Sequence, residues 1–377
     1  MYYIKRQIQD KVEKVLFKGK IVVIYGARQV GKTTFVKEIQ KKYFFSSVYL
    51  NCDEIDIRQA LADKTSTELK SFFGGKRLVI IDEAQRVKNI GITLKLIADN
   101  FPEIQVIATG SSSFDLSNEI SEPLTGRKEE FYLSPFSLEE LENKYSPIEM
   151  ERLLEERMIF GMYPGVVTDE NNKKQILTEL AKSYSYKDIL QYERIKNPDV
   201  LEKLLQALAL QIGSEVSYNE LASLLGVNKK TVENYVQILE KAFIIFRLKP
   251  FSRNLRNEIR KLRKIYFWDT GIRNALINNL NPLHLRQDTG SLWENFIISE
   301  RLKRNSNYSI ETGFYFWRTR QRQEIDYLEE IGGKISGYEI KWKAGSFRKP
   351  AIFLKTYAGS DVFLISRENY RNFTAKP

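Results

Sequence analysis

The chain has one cysteine, Cys52, and one histidine among its 377 residues. A lone thiol excludes an intramolecular disulfide, and so few Cys and His exclude a structural zinc site. Long apolar runs are missing too, since no stretch approaches the ~18 residues that span a bilayer. The amino terminus, MYYIKRQIQDKVEKVLFKGK, is polar and charged and lacks the apolar centre of a secretory signal. These absences predict a cytoplasmic protein with no membrane partner.

What is present suffices for several cores. Hydrophobic residues make up 42%, charged residues 28%, and there are 20 Tyr and 22 Phe. The length predicts two to four domains. A formal charge of +11 is compatible with a nucleic-acid partner, because Lys and Arg neutralise phosphates. The excess is concentrated in SRNLRNEIRKLRK (Ser252 to Lys264), which has six basic residues and one acid. A run of this kind also occurs as a solvated face or a connector.

The stretch IVVIYGARQVGKTTFVKEI (Ile21 to Ile39) joins a strand to a helix through Gly26-Ala27-Arg28-Gln29-Val30-Gly31-Lys32-Thr33. This is G-x-x-x-x-G-K-[ST], a loop whose backbone N–H groups wrap phosphate at the positive end of a helix. Lys32 would reach the β- and γ-phosphates, and the Thr33 hydroxyl would ligate Mg²⁺. KRLVIIDEAQ (Lys76 to Gln85) is a continuous apolar strand ending in Asp82-Glu83, as expected of a parallel strand buried on both faces. Asp82 would hold magnesium, and Glu83 would accept a proton from the attacking water. A third strand, IQVIATGSSS (Ile104 to Ser113), would bring polar groups between the other two, and SVYLNCDE (Ser47 to Glu54) supplies a fourth. Strands alternating with helices predict a parallel α/β sheet.

Together with LTGRKEEFYLSPFSLEEL (Leu124 to Leu141), these motifs resemble an AAA-type P-loop ATPase family of archaea and bacteria. Its members carry a carboxy-terminal domain of unknown function. The resemblance covers most of the chain and implies ATP and Mg²⁺ as ligands. It implies ATP binding by Gly26 through Thr34, a Walker B pair in Asp82 and Glu83, and a sensor in Ser111. It also implies that Arg127 lies near the γ-phosphate of its own site or a neighbour's, which makes a homo-oligomer an expectation. A guanidinium there would offset charge developing in phosphoryl transfer.

Residues 136–198 read as a helical lid, broken at GMYPGVV (Gly161 to Val167). In 199–252, VSYNELASLLGVNKKTVENYVQILEKAFII has two helical apolar faces interrupted at Gly226, with Asn228 positioned to cap the second helix. With the apolar strand that follows, this predicts a winged helix-turn-helix. Its second helix would present Lys229, Lys230, Thr231, Asn234 and Tyr235 to DNA, more than to RNA. The same module also serves as a protein contact, and Glu233 and Glu240 on that helix weaken its positive field.

The remaining 253–377 predicts the order αβββαβ: a helix at Gly290 to Arg304, strands at Phe314–Arg318, Gln323–Glu329 and Ser336–Trp342, a helix near Pro350–Tyr357 and a strand at Asp361–Ser366. That is the order of the PD-(D/E)XK nuclease fold. Period-two alternation puts Glu339 and Lys341 on one strand face. Asp326 and Glu339, with Glu294 and Lys341, would form a magnesium site. The expected function is therefore a Mg²⁺-dependent ATPase whose carboxy-terminal half engages nucleic acid, with cleavage as a further expectation. The alternative is a nucleotide-switched regulatory protein whose later domains bind proteins.

Overall fold

The structure, a computed structural model, describes residues 3–110, 120, 122–186, 197–252, 263–319 and 323–377. Two compact units emerge. One is Lys5–Pro135 with Lys241–Phe243, and the other consists mainly of Phe136–Glu240 and Ile244–Pro377.

In the first unit, β1 (Ile21–Tyr25), β2 (Ser47–Asn51), β3 (Leu78–Asp82), β4 (Gln105–Gly110) and β5 (Lys128–Tyr132) form a wholly parallel sheet in the order β2-β3-β4-β1-β5. Every residue of β1, β3 and β4 is buried, which explains their uninterrupted apolar runs. Val23, Tyr25, Val79, Ile81, Val106 and Ala108 join one core with Leu94 and Ile97 of the helix Ile90–Asn100. Because β4 lies between β1 and β3, the carboxyl ends of all three strands converge, where ligands bind in such sheets.

The second unit starts with helices Leu138–Glu142, Pro147–Phe160, Pro164–Thr168 and Lys173–Tyr186. The residues expected to form a lid thus belong to this unit rather than to the first. Buried polar contacts fix them there: the Leu138 amide donates to Glu300, and Lys303 donates to the Phe136 carbonyl.

Next come helix Pro198–Leu210, β6 (Glu215–Val216), helices Tyr218–Leu225 and Lys229–Lys241, β7 (Ile245–Pro250) and β8 (Arg263–Phe267). Gly226 closes the first of the two adjacent helices in the left-handed region, and Asn228 Oδ1 accepts the Thr231 amide at 2.8 Å. β8 pairs antiparallel with both β7 and β6. The expected boundary at 252/253 therefore cuts through a sheet: residues 263–267 belong with the strands before them.

Helix Thr289–Asn307, β9 (Gly313–Arg318), β10 (Glu324–Ile331), β11 (Lys334–Ile340), helix Ala351–Thr356 and β12 (Asp361–Ile365) give the αβββαβ order. Gly332 and Gly333, both at positive φ, turn β10 into β11 as their spacing predicts. β7 also pairs with β9, so one mixed sheet runs β12-β11-β10-β9-β7-β8-β6. No helix among the described residues is long and apolar enough to cross a membrane.

Candidate functional site

The phosphate-type loop leaves β1 at Gly26. A Cβ there would lie 2.2 Å from the Leu133 carbonyl oxygen, so the segment that follows β5 requires glycine at this position. Gln29 and Gly31 both adopt positive φ, and helix Lys32–Lys41 begins with no side chain capping its first turn. Its opening N–H groups thus suit an anion. The Lys32 ammonium is buried and donates to the carbonyls of Gly26 (3.0 Å) and Ala27 (3.1 Å), with Glu83 at 4.0 Å. The Arg6 guanidinium braces the loop from behind by donating to the carbonyls of Val30 (2.9 Å) and Ser134 (2.5 Å).

Asp82, at the end of β3, accepts three hydroxyls: Thr33 at 2.7 Å, Tyr49 at 2.5 Å, and Thr109. Thr109 Oγ1 also accepts the Glu83 amide at 3.0 Å, so one side chain of β4 fixes both acids. Glu83 sits in the left-handed region, and its carboxylate accepts Gln85 Nε2 at 2.5 Å. Burial, reinforced by the Asp82 carboxylate, raises the Tyr49 phenol well above its ordinary range, so Tyr49 stays a neutral donor. The Thr33 hydroxyl and Asp82 carboxylate form an adjacent all-oxygen pair, the donor set that fits Mg²⁺.

Ser111 lies outside the described residues. Of the polar groups expected at the end of β4, Thr109 is the one seen to contact Asp82 and the Glu83 amide, whereas Tyr49 and Arg6 are residues that motif spacing did not single out. Thr109 stood in the IATGSSS stretch, but nothing local announces Tyr49 or Arg6.

Arg127 departs from expectation for its own site. It precedes Lys128, which pairs with Ile21, at the end of β1 opposite the loop. The five residues of β1 span roughly 16 Å. The half-exposed guanidinium binds Asp99 at 2.5 Å. It cannot reach a γ-phosphate held by its own Lys32.

Along helix Lys229–Lys241, Lys229, Lys230 and Asn234 are exposed, whereas Tyr235 is buried in the core. Tyr235 shares the inward stripe of Val232, Val236 and Leu239, so its assignment to a DNA-facing surface is corrected. Thr231 is engaged with the capping Asn228, and Lys229 is paired to Glu233 at 3.3 Å. Of the Ser252 to Lys264 patch, 253–262 lies outside the described residues. Arg263 stacks over the Tyr218 ring, and Lys264 is buried, so neither extends an exposed basic face.

In the carboxy-terminal sheet, the register pairing Tyr327 with Tyr338 brings Asp326 opposite Glu339, on one face. Asp326 Oδ2 accepts the Ile340 amide at 2.8 Å. Two of the expected acids gather around Lys264 together with Glu324: its Nζ lies 2.6 Å from Glu324, 3.1 Å from Glu294 and 3.6 Å from Asp326. Lys341, exposed, pairs with Glu339 at 2.7 Å. Burial, then repulsion from Asp326, pushes the Glu294 carboxyl up to about 7. Among the described residues no group of three or more His, Cys, Asp or Glu is arranged to hold a metal ion. Asp326 and Glu339 thus meet on one sheet face as expected, with Lys341 beside Glu339 and Lys264 beside Asp326 and Glu294.

Three family models match the chain. Residues 18–142 match a family described as "AAA domain", 151–283 a domain of unknown function (DUF8612), and 289–371 another (DUF4143). An uncharacterized protein of Methanocaldococcus jannaschii is 28% identical over 342 residues, covering 85% of this chain and 74% of the relative. An uncharacterized Mycobacterium tuberculosis protein is 26% identical, covering 89% and 74%. One from Haemophilus influenzae is 25% identical, covering 86% and 82%. A solved structure of Drosophila ORC bound to AT-rich DNA and Cdc6 has 12% identity, covers 72% of this chain and 89% of that one, and superposes with a TM-score of only 0.26. That likeness adds nothing to the assignment. The loop, the acids ending β3 and the matched segments make residues 18–142 an AAA domain, and a DUF4143 domain follows it at 289–371.

Proposed function

We propose that the chain is a Mg²⁺-dependent ATPase. The observation that carries this reading is the convergence of Lys32, Thr33, Asp82, Glu83 and Thr109 at the carboxyl ends of β1, β3 and β4. Residues 26–34 wrap the phosphates, and Lys32 exchanges its loop carbonyls for the β- and γ-phosphate oxygens. Thr33 and Asp82 would hold the magnesium, which when bound would supply neutralising charge on the phosphates. Glu83 orients water and accepts its proton, while Thr109 keeps both acids in place. Ser111 remains the sensor in this reading. Arg127 serves a neighbouring copy's site or none, so its use requires a homo-oligomer. Phosphate release should depend on Mg²⁺ and be absent in Lys32→Ala, and equal rates in the two proteins would refute the reading.

The partner of the second unit is nucleic acid, DNA before RNA. Support comes from the +11 charge, from exposed Lys229, Lys230 and Asn234, and from the helix–strand–helix–helix–strand–strand order of a winged helix at 198–267. One observation favours the second reading, a nucleotide-switched regulator with a nuclease-like scaffold: the acid cluster that cleavage would need is neutralised from within by Lys264. Both readings place the protein in the cytoplasm.

A further inference from the structure

The αβββαβ order implies a divalent ion among Glu294, Asp326 and Glu339, and the residues present do not fit one. Lys264 reaches in from β8, a strand outside that order, and is almost wholly buried. Its ammonium touches Glu324, Glu294 and Asp326 at 2.6, 3.1 and 3.6 Å. Tyr266, two residues on and so on the same strand face, donates its hydroxyl to the Glu294 oxygen that Lys264 also binds. The remaining acid, Glu339, is held by Lys341, and the second Asp326 oxygen is taken by the Ile340 amide.

We propose that Lys264 is the resident cation of this cluster and that the carboxy-terminal unit works without a divalent metal. Carboxylates this close repel unless a positive charge lies between them, and a lysine supplied by the chain provides it permanently. A metal ion at the same point would meet a fixed positive charge and lose Glu294, Glu324 and Asp326 as ligands. The unit can still bind a partner, but it lacks the metal chemistry of phosphodiester cleavage. The inference concerns this cluster alone and does not depend on ATP hydrolysis.

The test uses the full chain without nucleotide, in an Asp82→Ala background that disables the other metal position, with Mn²⁺ as the probe. With Lys264 intact, the melting temperature should respond equally to Mn²⁺ and EDTA, and adding Asp326→Asn should not alter that equality. Lys264→Met should melt lower and gain a Mn²⁺-dependent rise of a few degrees, lost again with Asp326→Asn. A Mn²⁺-dependent rise in the Lys264 protein that Asp326→Asn removes would overturn the proposal. So would a folded Lys264→Met that gains no response. Should Lys264→Met fail to fold, the comparison of the Lys264 protein with and without Asp326→Asn decides by itself.

Discussion

Glu83 and Tyr49 act on the same few atoms by different physics. Glu83→Gln keeps the size and the left-handed backbone but cannot accept a proton. Nucleotide binding should persist while steady-state phosphate release falls about a hundredfold or more. Release at the parental rate would remove Glu83 as the base. In the proposed reaction Tyr49 acts by position, since its hydroxyl donates to the Asp82 oxygen that Thr33 also binds. Tyr49→Phe should raise the Mg²⁺ concentration for half-maximal activity about tenfold, with kcat at saturating Mg²⁺ little changed. A lowered kcat with an unmoved Mg²⁺ requirement would contradict a positioning role.

Helix Thr289–Asn307 is anchored by charge at its first turn. Asp288, which precedes it, accepts Arg286 through both carboxylate oxygens at 2.8 Å and also accepts Arg273 from helix Thr270–Leu276. Burial alone would raise the Asp288 carboxyl, but the two guanidinium groups outweigh it and hold it at about 2. A depressed carboxyl stabilises the fold fully above its ordinary value near 3.8, and the contribution disappears as pH falls toward 2. Asp288→Asn should therefore cost about 2 kcal/mol at pH 7 by chemical denaturation, and the deficit should shrink below pH ~3. A deficit unchanged across that range would mean that shape rather than charge anchors the helix.

For the molecule as a whole, the basic excess gives a quantitative expectation. Binding to duplex DNA should weaken linearly in log–log salt plots, because each neutralised phosphate releases counterions. Replacing Lys229 and Lys230 by Ala should lower the slope by about 2, read by fluorescence anisotropy across a salt series. An unchanged slope would move the contact away from helix Lys229–Lys241. Binding without salt dependence would dismiss the electrostatic case altogether.

Local chemistry was legible without coordinates wherever neighbours in sequence are neighbours in space. The phosphate loop, the buried apolar strands ending in Asp82, the Asn228 cap and the Gly332-Gly333 turn each depend on a few consecutive residues, so spacing and periodicity determined them. The αβββαβ order was legible for the same reason. Tertiary structure alone decided which distant side chains meet. Strand order brought Tyr49 and Thr109 to Asp82 and carried Arg127 to the far end of β1. The pairing of β8 with β7 and β6 drew Lys264 out of an apparently exposed basic run and into the acids of β10 and helix Thr289–Asn307. A charge pattern along a chain does not say which charges face water. Burial does, and burial follows from the pairing of strands far apart in sequence.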